Sequence, residues 1–232
     1  MISIVVVTHN RLDYSKRCID AILAGTDTKA ELIVVDSGST DGTVEWLSTL
    51  RSDKMPIRTA TYPDNVGAAI AYNKGFGLAK GDPVRIDNDI VVPDHWASRL
   101  IEHFDADPRL GMLATGLVTD MQSDDIGWFG GGISYHTDPV WHDCGIGSWC
   151  ILMRRAMFDE VGYYRTLFGP YALNDNDLEK RAQNAGWRLG YLHGLRVGHL
   201  YSMETPEEAE YNNWKIAEYQ QNIETWNRIW QS

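Results

Sequence analysis

Asp87 and Asp89 stand two residues apart in the run Arg85-Ile86-Asp87-Asn88-Asp89-Ile90, directly after an apolar stretch. In a strand, residues i and i+2 point to the same face. Both carboxylates can therefore project from a strand end into one cleft. Hard oxygen ligands of this kind suit a divalent cation that also holds phosphates, Mg2+ or Mn2+. A D-x-D standing alone is more simply a polar turn that closes a strand, so its meaning depends on the elements and motifs around it.

Those elements read as an alternation of strand and helix. Residues 2–8 form a continuous apolar run, the pattern of a parallel strand covered on both faces. Residues 11–23 have helical spacing, with Leu12, Ile19, Ile22 and Leu23 on one side. A second strand over 32–35 ends at Asp36, and a helix over 41–50 starts at Ser39-Thr40-Asp41-Gly42. A weak strand over 57–61, an Ala- and Gly-rich helix over 66–78 and a strand over 84–86 complete a βαβαβαβ unit. The expected architecture is a parallel, doubly wound sheet of Rossmann-like type. Ligands of such sheets bind beyond the carboxyl ends of the strands, where Asp36 and Asp87 sit. Residues 117–149 lose periodicity and carry Gly127, Gly130, Gly131, Gly132, Gly145 and Gly147 among Trp128, Phe129, Trp141 and Trp149. They read as loops and short strands of a pocket wall, or as a connection whose tryptophans merely pack. A strand over 148–153, a helix over 175–185 and short strands over 189–192 and 197–200 follow. An amphipathic helix over 206–230 presents Trp214, Tyr219, Trp226 and Trp230 to the core or to a second copy of the chain. Residues 1–232 read as one domain, with no repeat, low-complexity segment or linker.

Composition narrows the function classes. With 44% apolar and 23% charged residues the chain has material for a core, and its formal net charge of −11 speaks against broad electrostatic capture of nucleic acid or anionic membrane. Cys18, Cys144 and Cys150 are odd in number and lack C-x-x-C spacing, so they read as reduced thiols of a cytoplasmic protein. No apolar run approaches a membrane span, and the first residues lack the basic flank of a signal peptide.

Six motifs in order resemble the GT-A fold glycosyltransferases of family 2. Val5-Val6-Val7-Thr8-His9-Asn10-Arg11 is similar to that family's first strand and T-x-N turn. Asp36-Ser37-Gly38-Ser39-Thr40-Asp41-Gly42-Thr43 is close to its D-x-G-S-x-D-G-T signature. Asn65-Val66-Gly67, Asn73-Lys74-Gly75 and Ala79-Lys80-Gly81-Asp82 match the run that precedes its D-x-D. Arg154-Arg155-Ala156-Met157-Phe158-Asp159-Glu160-Val161-Gly162 resembles its R-R-x-x-F-x-x-V-G segment. Asn174-Asp175-Asn176-Asp177-Leu178-Glu179-Lys180-Arg181 resembles its E-D-x-D-L-x-x-R helix, with Asn174 where Glu is usual, and Val197-Gly198-His199 resembles a following V-x-H.

The resemblance implies one domain over 1–232 with a nucleotide-binding half (1–90), an acceptor-binding half (91–205) and the C-terminal helix (206–232). It also implies a nucleotide-sugar donor that in this family is usually a UDP-sugar, and an inverting transfer assisted by Mn2+ or Mg2+. Nucleotide contacts are implied for Thr8, Asn10, Asp36, Asn65, Gly67 and Asp87. Asp36 would accept the uracil N–H, or serve as a turn or cap residue. Asp41 reads as a helix cap. Asp87 would face the ribose or reach the metal through water, and Asp89 would bind the metal directly. His199 is the candidate third ligand, or a satisfied core histidine. Asp175 is the candidate general base, or N-terminal charge favoured by the helix dipole. Asp177 reads as the partner of Arg181 in an i,i+4 ion pair.

A nicotinamide dehydrogenase would need G-x-G-x-x-G after strand one, and Thr8-His9-Asn10-Arg11-Leu12-Asp13 has no glycine. A nucleotidyltransferase would need a basic Gly-rich loop there. A non-catalytic module that binds a sugar nucleotide or glycan remains the rival. The acceptor is open: a glycan or lipid-linked sugar, a protein side chain, or a hydroxymethylated nucleic-acid base. The last would require base extrusion and a basic surface built from Arg154, Arg155, Arg165, Lys180, Arg181 and Arg188.

Overall fold

The computed structural model describes residues 1–119, 125–136, 146–169, 172–200 and 206–231, and of 206–212 the backbone alone. Trp141, His142, Cys144 and Gly145 of the Gly- and Trp-rich middle lie outside the described residues.

The first half follows the alternating pattern. Strands β1 (Ile2–Thr8), β2 (Ala30–Ser37), β3 (Ile57–Tyr62) and β4 (Asp82–Asp87) pair in parallel, with β1 between β2 and β4 and β3 outside β2. β1 is apolar throughout because both of its faces are covered. Ile4 and Val6 join Ile19 and Ile22 of α1 (Leu12–Gly25) and Leu47 of α2 (Thr43–Thr49). Val5 faces the opposite side, with Tyr72 and Phe76 of α3 (Ala68–Leu78). Gly75 lets α3 approach closely, since a Cβ there would lie 2.2 Å from Val5 Cγ1.

The second half extends the same sheet through β5 (Ile90–Val91), α4 (Trp96–Asp105), β6 (Leu110–Val118), β7 (Gly127–Trp128), β8 (Ser134–His136) and β9 (Cys150–Met153). It continues with α5 (Arg155–Val161), α6 (Asn174–Asn184), β10 (Arg188–His199) and α7 (Pro206–Trp230). The sheet order is β3-β2-β1-β4-β9-β6-β10-β5, with β7 and β8 also on β10. It is doubly wound, as expected, but mixed rather than wholly parallel. β9 runs antiparallel to both β4 and β6, and β5 antiparallel to β10. The two short strands expected near residues 189–200 are one strand. Its register against β6 jumps between Leu192 and Arg196, and this bulge breaks the apolar alternation.

Of the basic side chains proposed as a surface, Arg154, Arg155 and Arg181 turn inward, while Arg165 and Arg188 stay exposed and pair with Asp177 and Asp107. Arg154 donates to the carbonyls of Phe104 (2.9 Å) and Leu110 (3.0 Å), and Arg155 to those of Gly81 and Phe76 (both 3.3 Å). Arg181 donates to the Tyr163 carbonyl and to Asp177, both at 2.8 Å. Arg188 pairs with Asp107 at 3.0 Å, and Lys180 lies over the rings of Trp226 and Trp230. These side chains clasp loops and helix ends. They do not form a free cationic face.

α7 packs on its own chain. Tyr219, Trp226, Ile229 and Trp230 meet Phe168 and Leu173. Among the described residues, no helix is long and apolar enough to cross a membrane. Cys18 and Cys150 are buried free thiols.

The Asp177–Arg181 pair exists, but it is no surface pair. Asp177 is fully buried and accepts from Arg181 Nε (2.8 Å), Arg165 Nη1 (3.3 Å) and Trp230 Nε1 (3.2 Å). Replacing one charge of a buried pair leaves the other uncompensated, at about 3–5 kcal/mol. Asp177→Asn should therefore lower the unfolding free energy by about that amount in urea denaturation. A loss below about 1 kcal/mol, the range of an exposed pair, would contradict the buried arrangement.

Candidate active site

A cleft of about 770 Å³ opens beyond the carboxyl ends of β1, β2 and β4. Its first wall is made by two loops laced together. Thr8 Oγ1 donates to Asp36 Oδ2 (2.8 Å), and the Ser39 N–H and hydroxyl donate to the two oxygens of Asp36 (2.9 and 2.5 Å). Asn10 takes a hydrogen bond from the Thr40 N–H at 2.8 Å, and Asp41 accepts from the N–H groups of Leu12 and Thr43. Asp41 thus satisfies the first N–H of both α1 and α2, while the cap positions themselves are held by Arg11 and Gly42. Asn10 and Arg11 adopt left-handed backbone (φ 53° and 60°) to make this turn.

Thr8 and Asp36 are fully buried in this lacing and do not line the cleft. Both oxygens of Asp36 are engaged by Thr8 and Ser39. The neighbouring Ser37 lines the cleft instead, because adjacent strand residues face opposite sides. Ser37 Oγ donates to Asn65 Oδ1 (3.1 Å) and accepts the Val66 N–H (2.9 Å), which sets Asn65 and Gly67 in the wall.

Asp87, Asp89, Asp175 and His199 all face the same cleft. The two aspartates do not share one strand face: β4 ends at Asp87, and Asn88 and Asp89 form a turn into β5. Asn88 donates to Ser15 Oγ (3.0 Å), and the Asp89 carbonyl accepts the Leu200 N–H (2.8 Å), so the turn is tied on both sides. Asp89 Oδ2 lies 3.3 Å from His199 Nε2 and 3.2 Å from Arg11 Nη1. Burial opposes its ionisation, but the His199 ring and the charges of Arg11 and Lys215 hold its carboxyl below the ordinary range.

Arg85 is the residue that motif reading overlooked. It sits in the strand between Val84 and Ile86, 8% exposed, and faces away from them. Its guanidinium pairs with Asp87 (Nε–Oδ1 3.1 Å) and with Asp175, donates to Tyr164 Oη (3.0 Å) and stacks 4.4 Å from the Tyr72 ring. Tyr72 Oη donates to Asp87 at 2.8 Å. The signal was available, since Arg85 and Asp87 are i and i+2 of one strand and a charge inside an apolar run needs a partner. Burial raises the Asp87 carboxyl, and Arg85 only partly offsets it.

Among the described residues, no group of three His, Cys, Asp or Glu side chains converges as a metal site. Asp89 and His199 are the pair brought together. Two ligands in an open cleft fit Mg2+ or Mn2+, ions completed by phosphate and water oxygens.

A sequence model of Glycosyl transferase family 2 matches residues 3–162, which leaves Asp175, His199 and α7 beyond the matched stretch. Glycosyltransferase GlyG of Streptococcus pneumoniae is 33% identical over 115 residues, 48% of this chain and 38% of that protein. The chain therefore spans well under half the length of this curated relative. The S. aureus TarS 1–349 structure with UDP-GlcNAc superposes with a TM-score of 0.64 at 15% identity, covering 94% of this chain and 66% of that one. Mannosyltransferase PcManGT from Pyrobaculum calidifontis, with GDP-Man and Mn2+, gives 0.66 at 19% identity over 88% and 57%. At such identity the two structures bear on the fold, and they place it in the GT-A class.

One turn after Asp175, Glu179 is 1% exposed, and the Ile146 N–H reaches its Oε2 at 3.4 Å. Burial, with Asp175 adding to it, pushes this carboxyl up to about 8 from an ordinary 4.5. The folded state then holds a proton that the unfolded state releases, so this group's contribution to stability falls as pH rises between those two values. Glu179→Gln removes the titration. The variant should gain on the wild type over that window by at most about 1.4 kcal/mol per pH unit in paired urea denaturations. A pH-independent difference would show that Glu179 is charged in the fold.

Proposed function

Because this chain belongs to Glycosyl transferase family 2, we propose that its cleft moves a sugar from a nucleotide diphosphate sugar to an acceptor hydroxyl, with inversion. The observation that carries the reading is the convergence of Asp87, Asp89, His199 and Asp175 in one cleft beside the loops of the family-matched half. The nucleotide lies against Asn10, Ser37, Asn65 and Gly67, with Asp87 toward the ribose. Asp89 and His199 would hold Mn2+ or Mg2+. That cation, when bound, neutralises charge on the departing diphosphate. UDP is the nucleotide we assign, on the D-x-G-S-x-D-G-T match at Asp36 to Thr43.

In this reading Asp175 takes the proton of the acceptor hydroxyl. The acceptor oxygen bonds to the anomeric carbon from the face opposite the diphosphate, and the bond to the diphosphate breaks. Arg85 orients Asp175 by holding one carboxylate oxygen, which fixes the second for the acceptor. The same arginine fixes Asp87 (Nε–Oδ1 3.1 Å), so donor and base positions move together. A cytoplasmic setting agrees with the buried free thiols Cys18 and Cys150.

Calorimetric titration with UDP, GDP and dTDP in the presence of Mn2+ should give UDP the tightest complex; a tighter GDP complex would move the assignment to a guanosine donor. Asp175→Asn cannot take a proton and should lower kcat by roughly 10²–10⁴; it also removes one anionic partner of the buried Arg85, so UDP affinity, measured alongside, separates loss of the base from a displaced Asp87. Asp89→Ala, or EDTA, should remove most turnover. Full activity under either would end the metal assignment, and a product that retains the donor's anomeric configuration by NMR would end the single-displacement mechanism. UDP binding without release from any UDP-sugar would make the chain a binding module.

A further inference from the structure

Asn174 precedes the proposed base and lines the same cleft, yet it is only 7% exposed. Its Nδ2 reaches the Ala172 carbonyl at 3.5 Å, while its Oδ1 has no donor among the described residues. A buried acceptor without a partner costs about 1–3 kcal/mol. The backbone that aims it is strained as well. Ala172 and Leu173 are consecutive left-handed residues (φ 72° and 64°), a conformation that non-glycine residues hold when the surroundings impose it.

α7 contributes Trp214 and Tyr219 to the lining of the same cleft, and Trp214 is still 37% exposed. The apolar aromatics of α7 nearer its end, Trp226 and Trp230, are packed away. Aromatic side chains that line one polar cleft with a buried carbonyl oxygen and a base suit a flat ligand with C–H faces and hydroxyl donors. A sugar ring has both. An extruded nucleobase would also stack, but it needs a cationic track for the strand. Arg154, Arg155 and Arg181 are bound inward, and the chain carries a net charge of −11.

We propose that Asn174, Trp214 and Tyr219 form an acceptor subsite for a saccharide: the ring stacks on the α7 aromatics and a hydroxyl beside the reacting one donates to Asn174 Oδ1. This deepens the transferase reading and rests on it for the identity of the reacting hydroxyl. It also explains why the subsite lies outside residues 3–162: the matched half carries the donor wall, and α7 carries recognition of the acceptor.

The test has two arms on the full chain. Saturation-transfer NMR probes binding of methyl glycosides of glucose, galactose, mannose and N-acetylglucosamine to the wild type and to Trp214→Ala, Trp214→Phe and Asn174→Ala. Initial rates with a UDP-sugar and Mn2+ then separate the KM of the acceptor from that of the donor. At least one glycoside should bind and accelerate UDP release. Trp214→Ala should raise its KM about tenfold, equal to about 1.4 kcal/mol, with the effect absent from the donor's KM and largely restored by Trp214→Phe. Asn174→Ala should shift the same constant. Ile216→Ala, on the outer face of α7 at 57% exposure, is the control and should shift neither. The proposal is overturned if Trp214→Ala raises the donor's KM instead, or if only a serine peptide or single-stranded DNA accelerates UDP release. The NMR arm stands apart from the transferase reading. Should no nucleotide sugar turn over, glycoside binding lost in Trp214→Ala still supports the subsite, and absence of glycoside binding to the wild type refutes it.

Discussion

The arrangement around the cleft depends on one desolvated cation. The guanidinium of Arg85 is nearly enclosed by protein, and a charge taken out of water persists only where anions and hydrogen-bond acceptors replace the water. Burial works against its charge, while Asp175 and Asp87 hold it firmly protonated. Those carboxylates come from different parts of the chain, Asp87 at the end of β4 and Asp175 in the first turn of α6. The electrostatic need of a single strand residue therefore binds the first half of the chain to the second at the place where chemistry is proposed. Tyr72 and Tyr164 complete the enclosure with ring faces and hydroxyls, and burial keeps both phenols protonated.

A second constraint acts on the backbone. β1 and β2 are neighbours in register, with Thr8 beside Asp36, so the loops that leave them must run side by side. Short polar side chains satisfy the exposed N–H groups of these loops and of the two helix starts that follow. Asn10, Asp36, Ser39 and Asp41 accept these N–H groups, and Thr8 donates its hydroxyl to Asp36. The hydrogen bonds to Asp36 thus also hold together the two loops that wall the cleft.

The alternation of the first half was legible because each strand is a continuous apolar run and each helix has its 3.6-residue spacing. Nothing in those local patterns reveals direction or neighbours across the sheet, so the antiparallel insertion of β9 between β4 and β6 could not be read. Nor could β10 be seen as one strand through its bulge, or α4 and β6 be placed without a motif to mark them. At the site, spacing located Asp87 and Asp89 correctly in the cleft, although a turn, not a shared strand face, brings them there. The pairing of Asp89 with His199 spans more than a hundred residues and was reached only through the resemblance. Arg85 was readable from the sequence: its neighbours Val84 and Ile86 are buried, and it stands two residues before Asp87.

β9 has a further consequence, for motion. It belongs to the second half of the chain, yet it hydrogen-bonds to β4 on one side and β6 on the other. The halves therefore share one ladder, and no flexible connection separates them as rigid bodies. Swinging one away from the other would break a row of backbone hydrogen bonds in the dry interior, where each orphaned group costs about 1–3 kcal/mol. Hinged domain closure, a common route by which two-lobed enzymes admit and discharge ligands, is closed to this architecture. Entry and exit must proceed by local displacement of segments outside the ladder, at rates set by loop and helix-end motion instead of by reorientation of whole lobes.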